Sequence, residues 1–179
     1  MSDWRVLGVD ACKAGWIGIA MSQDALSGYF EAEIGDLAEK ASEGGPLAVV
    51  AIDIPIGLPD TGRRRADMLA REAAGPRRAS VFMTPVRPAL EADDYESASA
   101  ASLKLAGEGI SRQAFALQAK ILQVDKWVCQ ARHRVVEVHV GCADLRTDLS
   151  DLRGAWDGSV LTWATPLPRS RRPAMTSGR

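Results

Sequence analysis

Three short strand-like segments open the chain, and the connections between them are too short to contain a helix. Residues 4–10 (WRVLGVD) form an apolar, β-branched run, residues 11–15 (ACKAG) a tight turn, and residues 16–21 (WIGIAM) a second run. Residues 28–34 (GYFEAEI) alternate well enough for a third, half-exposed strand. Because parallel neighbours need a long crossover, these strands are predicted to pair antiparallel, which disfavours a doubly wound parallel sheet.

A buried strand and several helices are predicted to follow. Residues 47–54 (LAVVAIDI) are the most apolar run, as in a central strand covered on both faces. Capping and periodicity predict helices over 36–42, 63–74, 93–106 and 111–132, and a last strand over 134–140. The third helix is expected to begin at Asp93 as N-cap, with Glu96 in capping-box spacing, and the fourth at Ser111. The fourth helix carries an apolar stripe of Leu117, Ile121, Val124 and Val128.

This order of elements predicts an α/β fold of the ribonuclease H-like type. Its mixed five-stranded sheet has the order 3-2-1-4-5, with strands one, four and five parallel and with flanking helices. Residues 1–140 are predicted to form this domain. Residues 141–179 lack sustained periodicity and are expected to be an atypical tail, disordered over about the last 15 residues.

Composition sets broad limits. The hydrophobic fraction of 46% and the charged fraction of 25% are typical of globular proteins, and the net charge of −1 demands neither a nucleic-acid nor a membrane partner. No run reaches the roughly 18 apolar residues of a membrane span, and no signal peptide is visible. The three cysteines form no metal or disulfide pattern, so a reduced, cytoplasmic protein is expected.

The distribution of charge is uneven. Residues 1–62 carry 3 basic and 10 acidic side chains, whereas residues 63–88 carry 7 arginines against Asp67 and Glu72. If the two segments are adjacent in the fold, the arginines form a phosphate-binding surface next to metal-binding carboxylates. A solvated helix explains this distribution of charge equally well. Within it, Asp67 and Arg71 have the spacing of an i,i+4 ion pair.

Two aspartates are the first candidates for chemistry. Asp10 is predicted to end the first strand, and Asp53 lies near the end of the buried fourth strand. If these strands are adjacent and parallel, the carboxylates meet at one edge of the sheet and repel each other unless a cation such as Mg²⁺ or Mn²⁺ lies between them. The alternative is that each caps a turn or loop.

The last strand offers a third carboxylate, Glu137, and a histidine, His139, two residues on. Glu137 completes the predicted catalytic and metal-binding set of Asp10, Asp53 and Glu137, although an exposed strand glutamate is the commoner explanation. His139 is a candidate acid, base or phosphate contact, although a lone histidine is more often structural. Arg112 and Lys120 project from the long helix and are further candidates for a phosphate-binding surface.

Five segments together resemble the predicted ribonuclease H-like nucleases grouped as domain of unknown function family 429. They are VLGVDACKAGW (6–16), AIDIPIGLPDTGRRRAD (51–67), RRASVFMTPVRPAL (77–90), GISRQAFALQAKILQVD (109–125) and VVEVH (135–139). The resemblance implies the same fold, a divalent-metal site at Asp10, Asp53 and Glu137, and phosphate or substrate contacts at Lys13, Arg64, Arg87, Arg112 and Lys120. Further positions match at Asp67, Ser80, Gln113 and Asp125.

The resemblance stops at the end of the last block. Family members usually continue it as HPE, whereas here His139 is followed by Val140, Gly141 and Cys142. A truncated or frameshifted C-terminus would produce this change, and it would remove any fourth carboxylate. That is a hypothesis, which the gene sequence tests.

Three functions follow as expectations. The first is a Mg²⁺- or Mn²⁺-dependent nuclease that hydrolyses phosphodiester bonds in nucleic acid. The second is a catalytically degenerate domain that binds nucleic acid or protein. The third is an actin-like or sugar-kinase-like phosphotransferase, for which the chain is short and lacks a second glycine-rich loop. The sequence sets no oligomeric state, and a homodimer is left open.

Overall fold

The computed structural model describes residues 4–138, which contain a five-stranded mixed sheet flanked by helices. The strand order is β3-β2-β1-β4-β5, which confirms the predicted α/β class and the predicted sheet order. The predicted tail at 141–179 lies outside the described residues. Within the described residues, no helix is both long and apolar enough to cross a membrane.

The first three strands form an antiparallel meander. β1 (Arg5–Cys12) pairs with β2 (Gly15–Met21), which pairs with β3 (Leu26–Glu31). A Cβ atom added at Gly15 would lie 2.2 Å from the carbonyl oxygen of Glu31, so only glycine fits this close approach of strand ends. The third strand begins and ends earlier than the sequence predicted, because residues 34 and 35 already belong to the next helix.

The next two elements form a crossover. Helix α1 (Ile34–Glu43) leads into β4 (Leu47–Ile52), which lies parallel to β1. The prediction that β4 is covered on both faces is wrong in part. Leu47, Val50 and Ile52 are buried, but Ala48 is exposed and Val49 and Ala51 are only half-buried.

The remaining helices precede the last strand. They are α2 (Arg65–Ala74), a 3₁₀ helix (Gly75–Ser80), α3 (Arg87–Leu90), α4 (Tyr95–Ala106), α5 (Arg112–Ala116) and α6 (Gln118–Val128), followed by β5 (Val135–Glu137). α2 begins two residues later than predicted, because Arg64 is extended (ψ 129°). The N-cap of α4 is Asp94 rather than the predicted Asp93, and it accepts from the Ser97 amide.

The predicted long helix is divided at Leu117 into α5 and α6. Ser111 caps α5 as predicted, since its hydroxyl accepts from the Ala114 amide at 3.0 Å. Ile121 and Val124 of the predicted apolar stripe are fully buried. They belong to one core with Leu7, Trp16, Leu37 and Val50, on the face of the sheet toward α1 and α6.

Candidate active site

Asp10, within β1, and Asp53, directly after β4, lie level with each other across this parallel strand pair. Val9 pairs with Ile52, and the backbone amide of Asp53 donates to the Val9 carbonyl at 3.3 Å, so each aspartate is one residue beyond a paired position. β1 continues to Cys12, so Asp10 lies within the strand rather than at its predicted end. Asp10 is exposed and its Oδ1 accepts from the Ala11 amide at 2.7 Å, while Asp53 is partly buried.

Glu137 has a different environment. It pairs with Ile52 across β4 and β5, one residue before the level of Asp53. Its two carboxylate oxygens accept from the two terminal nitrogens of Arg64, both at 2.6 Å, and Oε2 also accepts from the Ile56 amide at 2.9 Å. Side chains alternate between the two faces of the sheet along each strand. Glu137 therefore lies on the same face as its partner Ile52 and as Val9, whereas Asp10 lies on the opposite face.

Arg64 joins Glu137 to two further segments. Its Nε and Nη2 donate to Asp67 Oδ1 at 2.9 and 2.5 Å, and Nη1 donates to the Ile56 carbonyl at 2.7 Å. Asp67 Oδ2 accepts from the Thr84 amide at 2.9 Å. We call Arg64, Asp67 and Glu137 the arginine hub; it ties β5, the loop after β4, α2 and the segment at Thr84 together.

The hub keeps Arg64 charged. Its side chain is only 11% exposed. Burial alone would lower the pKa of the guanidinium, but hydrogen bonds from it to Glu137 and Asp67, together with their negative charges, outweigh burial and raise the pKa above its ordinary value. Arg64 is therefore a permanent countercharge to two carboxylates, and its five donors are largely occupied.

The hub also replaces the predicted pair of Asp67 and Arg71. Asp67 is buried and bonds Arg64 three residues earlier, while Arg71 Nε donates to the Arg78 carbonyl at 3.2 Å. The i,i+4 spacing did not decide the pairing, because the extended backbone at Arg64 brings its guanidinium back over the first turn of α2.

Within residues 4–138, no group of three or more His, Cys, Asp or Glu side chains is placed to hold a metal ion. Asp10 and Asp53 are neighbours, whereas Glu137 is engaged by Arg64. His139, the fourth candidate from this part of the sequence, lies outside the described residues.

Two further basic candidates, Lys13 and Arg87, take no part in the arginine hub. Lys13 is exposed in the turn between β1 and β2, two residues after Ala11. Arg87 makes a two-pronged contact to Asp125 (2.8 and 3.0 Å) and lies 3.9 Å from Asp60. The hydrogen bonds to Asp125 raise the pKa of Arg87 above its ordinary value.

Two cations lie over aromatic rings. The Arg112 guanidinium is 4.4 Å from the centroid of the Tyr95 ring, and Lys120 Nζ is 4.8 Å from that of Trp16. Trp16 is fully buried and donates from Nε1 to Gln123 Oε1. Cation–π contact positions these side chains but leaves N–H donors available to an anion.

A cavity of about 380 Å³ lies beside the hub. Its wall combines apolar side chains with hydroxyls and includes Val81, Phe82, Thr84, Ser102, Ile110 and Gln113. The Thr84 hydroxyl is buried and has no hydrogen-bond partner among the described residues. Thr84 is not singled out as a site residue in the sequence, because its role depends on a hydrogen bond from its amide to Asp67, seventeen residues away. The side chain of Ser80, another matched position, lies outside what the structure describes.

Comparison with known proteins adds a family but no activity. No curated protein and no solved structure matches the chain. The family model described as "Protein of unknown function (DUF429)" matches residues 8–143, which include Asp10, Asp53, the arginine hub and every helix within residues 4–138. On that match, the chain belongs to the DUF429 family.

Proposed function

We propose that the protein is a divalent-metal-dependent nuclease that hydrolyses phosphodiester bonds, with Asp10 and Asp53 as its metal ligands. The observation that carries the proposal is the level placement of Asp10, within β1, and Asp53, directly after β4, at the central parallel pair of the sheet. A divalent cation between them would offset the mutual repulsion of two carboxylates at neighbouring positions, so the pair forms a natural cation site.

The donor chemistry fits Mg²⁺ or Mn²⁺. Both ions prefer oxygen ligands, and Mg²⁺ is commonly held by one or two carboxylates together with water and substrate phosphate, so Asp10 and Asp53 are sufficient. When bound, such an ion supplies a Lewis acid for a phosphoryl oxygen and lowers the pKa of a water molecule. Glu137 is not assigned as a ligand, because Arg64 holds its carboxylate and alternation places it on the face of the sheet opposite Asp10.

The chain's own residues would bind and orient the substrate. Lys13 is exposed in the turn that follows the strand of Asp10, so it is the best placed described cation for a phosphate near the aspartates. Arg64 is assigned instead to holding Glu137 and the loop after β4. Arg112 and Lys120, which lie over aromatic rings, would extend a phosphate-binding surface.

Cleavage of labelled RNA and DNA oligonucleotides with Mg²⁺ or Mn²⁺ tests the proposal. We expect wild-type cleavage that chelation abolishes, and losses of at least about 100-fold in Asp10→Asn and Asp53→Asn, since each removes a charged ligand. Asp24→Asn is the matched control, because Asp24 is an exposed aspartate in the turn between β2 and β3. Unchanged activity in both ligand variants would discard the mechanism.

A second candidate is a domain that binds nucleic acid without cleaving it. The ion pair of Arg64 and Glu137 favours it, because a neutralised third carboxylate weakens any shared metal site. Binding of the same oligonucleotides in EDTA, with no turnover in Mn²⁺ by any variant, would select this function. Lys13→Ala would then weaken binding, and the affinity would fall with salt.

A further inference from the structure

One face of the sheet is apolar and exposed over β2 and β3. Its large side chains, which we call the open face, are between 44% and 71% exposed: Ile17, Ile19 and Met21 on β2, and Leu26 and Phe30 on β3. Strand pairing makes these residues contiguous, since Ile17 lies opposite Phe30 and Met21 opposite Leu26. A contiguous apolar patch of this kind often marks an interaction surface.

The opposite face of the same strands is already covered. Trp16 and Ala20, which alternate with the open-face residues of β2, are almost completely buried. Helix α1 packs there, and a Cβ atom added at Gly18 would lie 3.1 Å from the Leu37 side chain. Because a sheet packs each apolar face against another layer, the open face is the side of β2 and β3 that is available to a partner.

The centre of the open face combines a projecting side chain with an empty position. Ile19 pairs with Gly28 on β3, and a Cβ atom added at Gly28 would meet no atom within 4 Å. Leu26 and Phe30, two residues to either side of Gly28, project from the same face of β3 and frame this position. The open face therefore carries a knob, at Ile19, directly beside a hole, at Gly28.

We propose that the open face is a dimer interface, on which β2 and β3 of a second copy of this chain pack. A two-fold axis that runs parallel to the strands, between β2 and β3, places each β2 over the β3 of the other copy. Ile19 of one copy then enters the hole at Gly28 of the other, and the reverse contact forms by symmetry. The flanking side chains of β2 and β3 pair in the same way, and the two sheets pack with their strands aligned, as in a β-sandwich.

The exposed area is sufficient for a dimer of this kind. The five residues of the open face expose roughly 500 Å² in each copy, if a fully exposed residue of their size presents about 200 Å². Packing two copies together would therefore bury about 1,000 Å² in total, which is close to the lower limit for a specific interface. We expect a dimer that forms and dissociates with the protein concentration.

The chemistry of the open face favours a second copy of the chain over nucleic acid. A phosphate backbone is bound mainly by Lys and Arg, whereas the large side chains here are apolar and residues 1–62 carry 10 acidic against 3 basic groups. Self-association needs no second surface, since the knob and the hole lie on the same face. Asp10 pairs with Ile17 from β1, one strand outside the two that would pack, so the dimer leaves the proposed metal ligands at its rim. The dimer does not depend on the proposed nuclease activity.

Sedimentation equilibrium of the full chain tests the proposal. We expect a monomer–dimer equilibrium between about 1 and 100 μM, where an interface near the lower size limit dissociates. Ile19→Asp is expected to raise the dissociation constant at least about 100-fold, because it places two unpaired charges in an apolar interface. A wild-type chain that stays monomeric throughout, as expected if residues 139–179 or a different protein occupies the face, would overturn the proposal.

The matched control is Leu103→Asp, at a residue of α4 that is 60% exposed, and it should leave the dissociation constant unchanged. Ile19 is 54% exposed in the single chain, so dilute Ile19→Asp protein should keep the wild-type circular dichroism spectrum. A dimer that Ile19→Asp leaves intact, or that both variants weaken equally, would also overturn the proposal.

Chemical cross-linking tests which positions meet. In a background with the three native cysteines replaced by Ser, Ile19→Cys protein is mixed with Gly28→Cys protein that carries a larger tag, and a short bismaleimide is added. The control mixture replaces Gly28→Cys by Ser27→Cys, which is one residue earlier in β3 and alternates to the opposite face. We expect a cross-link between the two chains in the first mixture, identified by peptide mass, and little in the control. Equal yields in both mixtures, or none in either, would overturn the proposed packing.

Discussion

Arg64 and Glu137 form a two-pronged ion pair, with both contacts at 2.6 Å, between residues 73 positions apart in the chain. The pair connects the residue that precedes α2 to the last strand of the sheet. Because Asp67 shares the same guanidinium, removing Arg64 would leave two carboxylates without a countercharge in a largely buried place.

Arg64→Met is therefore expected to lower the free energy of unfolding by about 3 kcal/mol, the cost typical of breaking a buried pair on one side. Arg64→Lys keeps the charge but loses the planar fork, so an intermediate loss is expected. Urea unfolding followed by far-UV circular dichroism measures both. The control is Arg65→Met, one residue on and exposed, with an expected change within about 0.5 kcal/mol. Similar losses at positions 64 and 65 would contradict a structural role for the hub.

The sequence located the aspartates better than it located the hub. Asp10 and Asp53 each follow an apolar strand pattern, and the parallel pairing of those strands is implied by the order of elements, so their neighbourhood could be predicted. Arg64 was predicted to bind phosphate, because an arginine-rich stretch gives no sign of which member turns inward. Which arginine turns inward depends on Glu137, which lies in β5, 73 positions later in the chain.

The cap of α4 illustrates the limit of local reasoning. Asp93 and Asp94 are adjacent, and the spacing from Asp93 to Glu96 resembles a capping box. In the structure Asp94 accepts from the Ser97 amide at 2.8 Å and from the Ser97 hydroxyl at 3.0 Å. Two neighbouring acids satisfy the same pattern, so the sequence fixes the helix start only to within a residue.

Asp94→Ala should reduce stability while Asp93→Ala should not. Hydrogen bonds from the Ser97 amide and hydroxyl lower the pKa of Asp94 below its ordinary value of 3.8. A lowered folded-state pKa means that the stabilisation is present above the unfolded-state pKa and is lost as the pH falls through the folded-state value. Thermal unfolding at neutral pH should show a lower midpoint for Asp94→Ala. The difference from wild type should shrink toward pH 3 and below; a difference independent of pH would contradict the assignment.

Gly15 is required by a close backbone approach. A Cβ there would lie 2.2 Å from the Glu31 carbonyl oxygen and 2.9 Å from the Ala32 Cα, and backbone atoms move less easily than a side chain. Gly15→Ala is expected to cost about 3 kcal/mol or more, because β3 must shift away from β2. Gly28→Ala, in the same pair of strands but with open space around it, should be nearly neutral. Urea unfolding of both variants tests the contrast. Equal stabilities of the two variants would show that the ends of β2 and β3 are farther apart than in this structure.

Thr84 carries a buried group with an unmet hydrogen bond. Its amide donates to Asp67, but its hydroxyl has no partner among the described residues. Thr84→Val keeps the shape and the amide while removing the hydroxyl, so the free energy of unfolding is expected to rise by about 1 kcal/mol.

Thr61→Val, at an exposed loop position, is the control and should change stability by less than about 0.5 kcal/mol. Thr84→Ser, which keeps the hydroxyl and loses the methyl group, should be less stable than wild type because it leaves a small void. If Thr84→Val were instead destabilising, the hydroxyl would have a partner beyond residues 4–138. The cavity that Thr84 lines would then be the first place to look for a bound ligand.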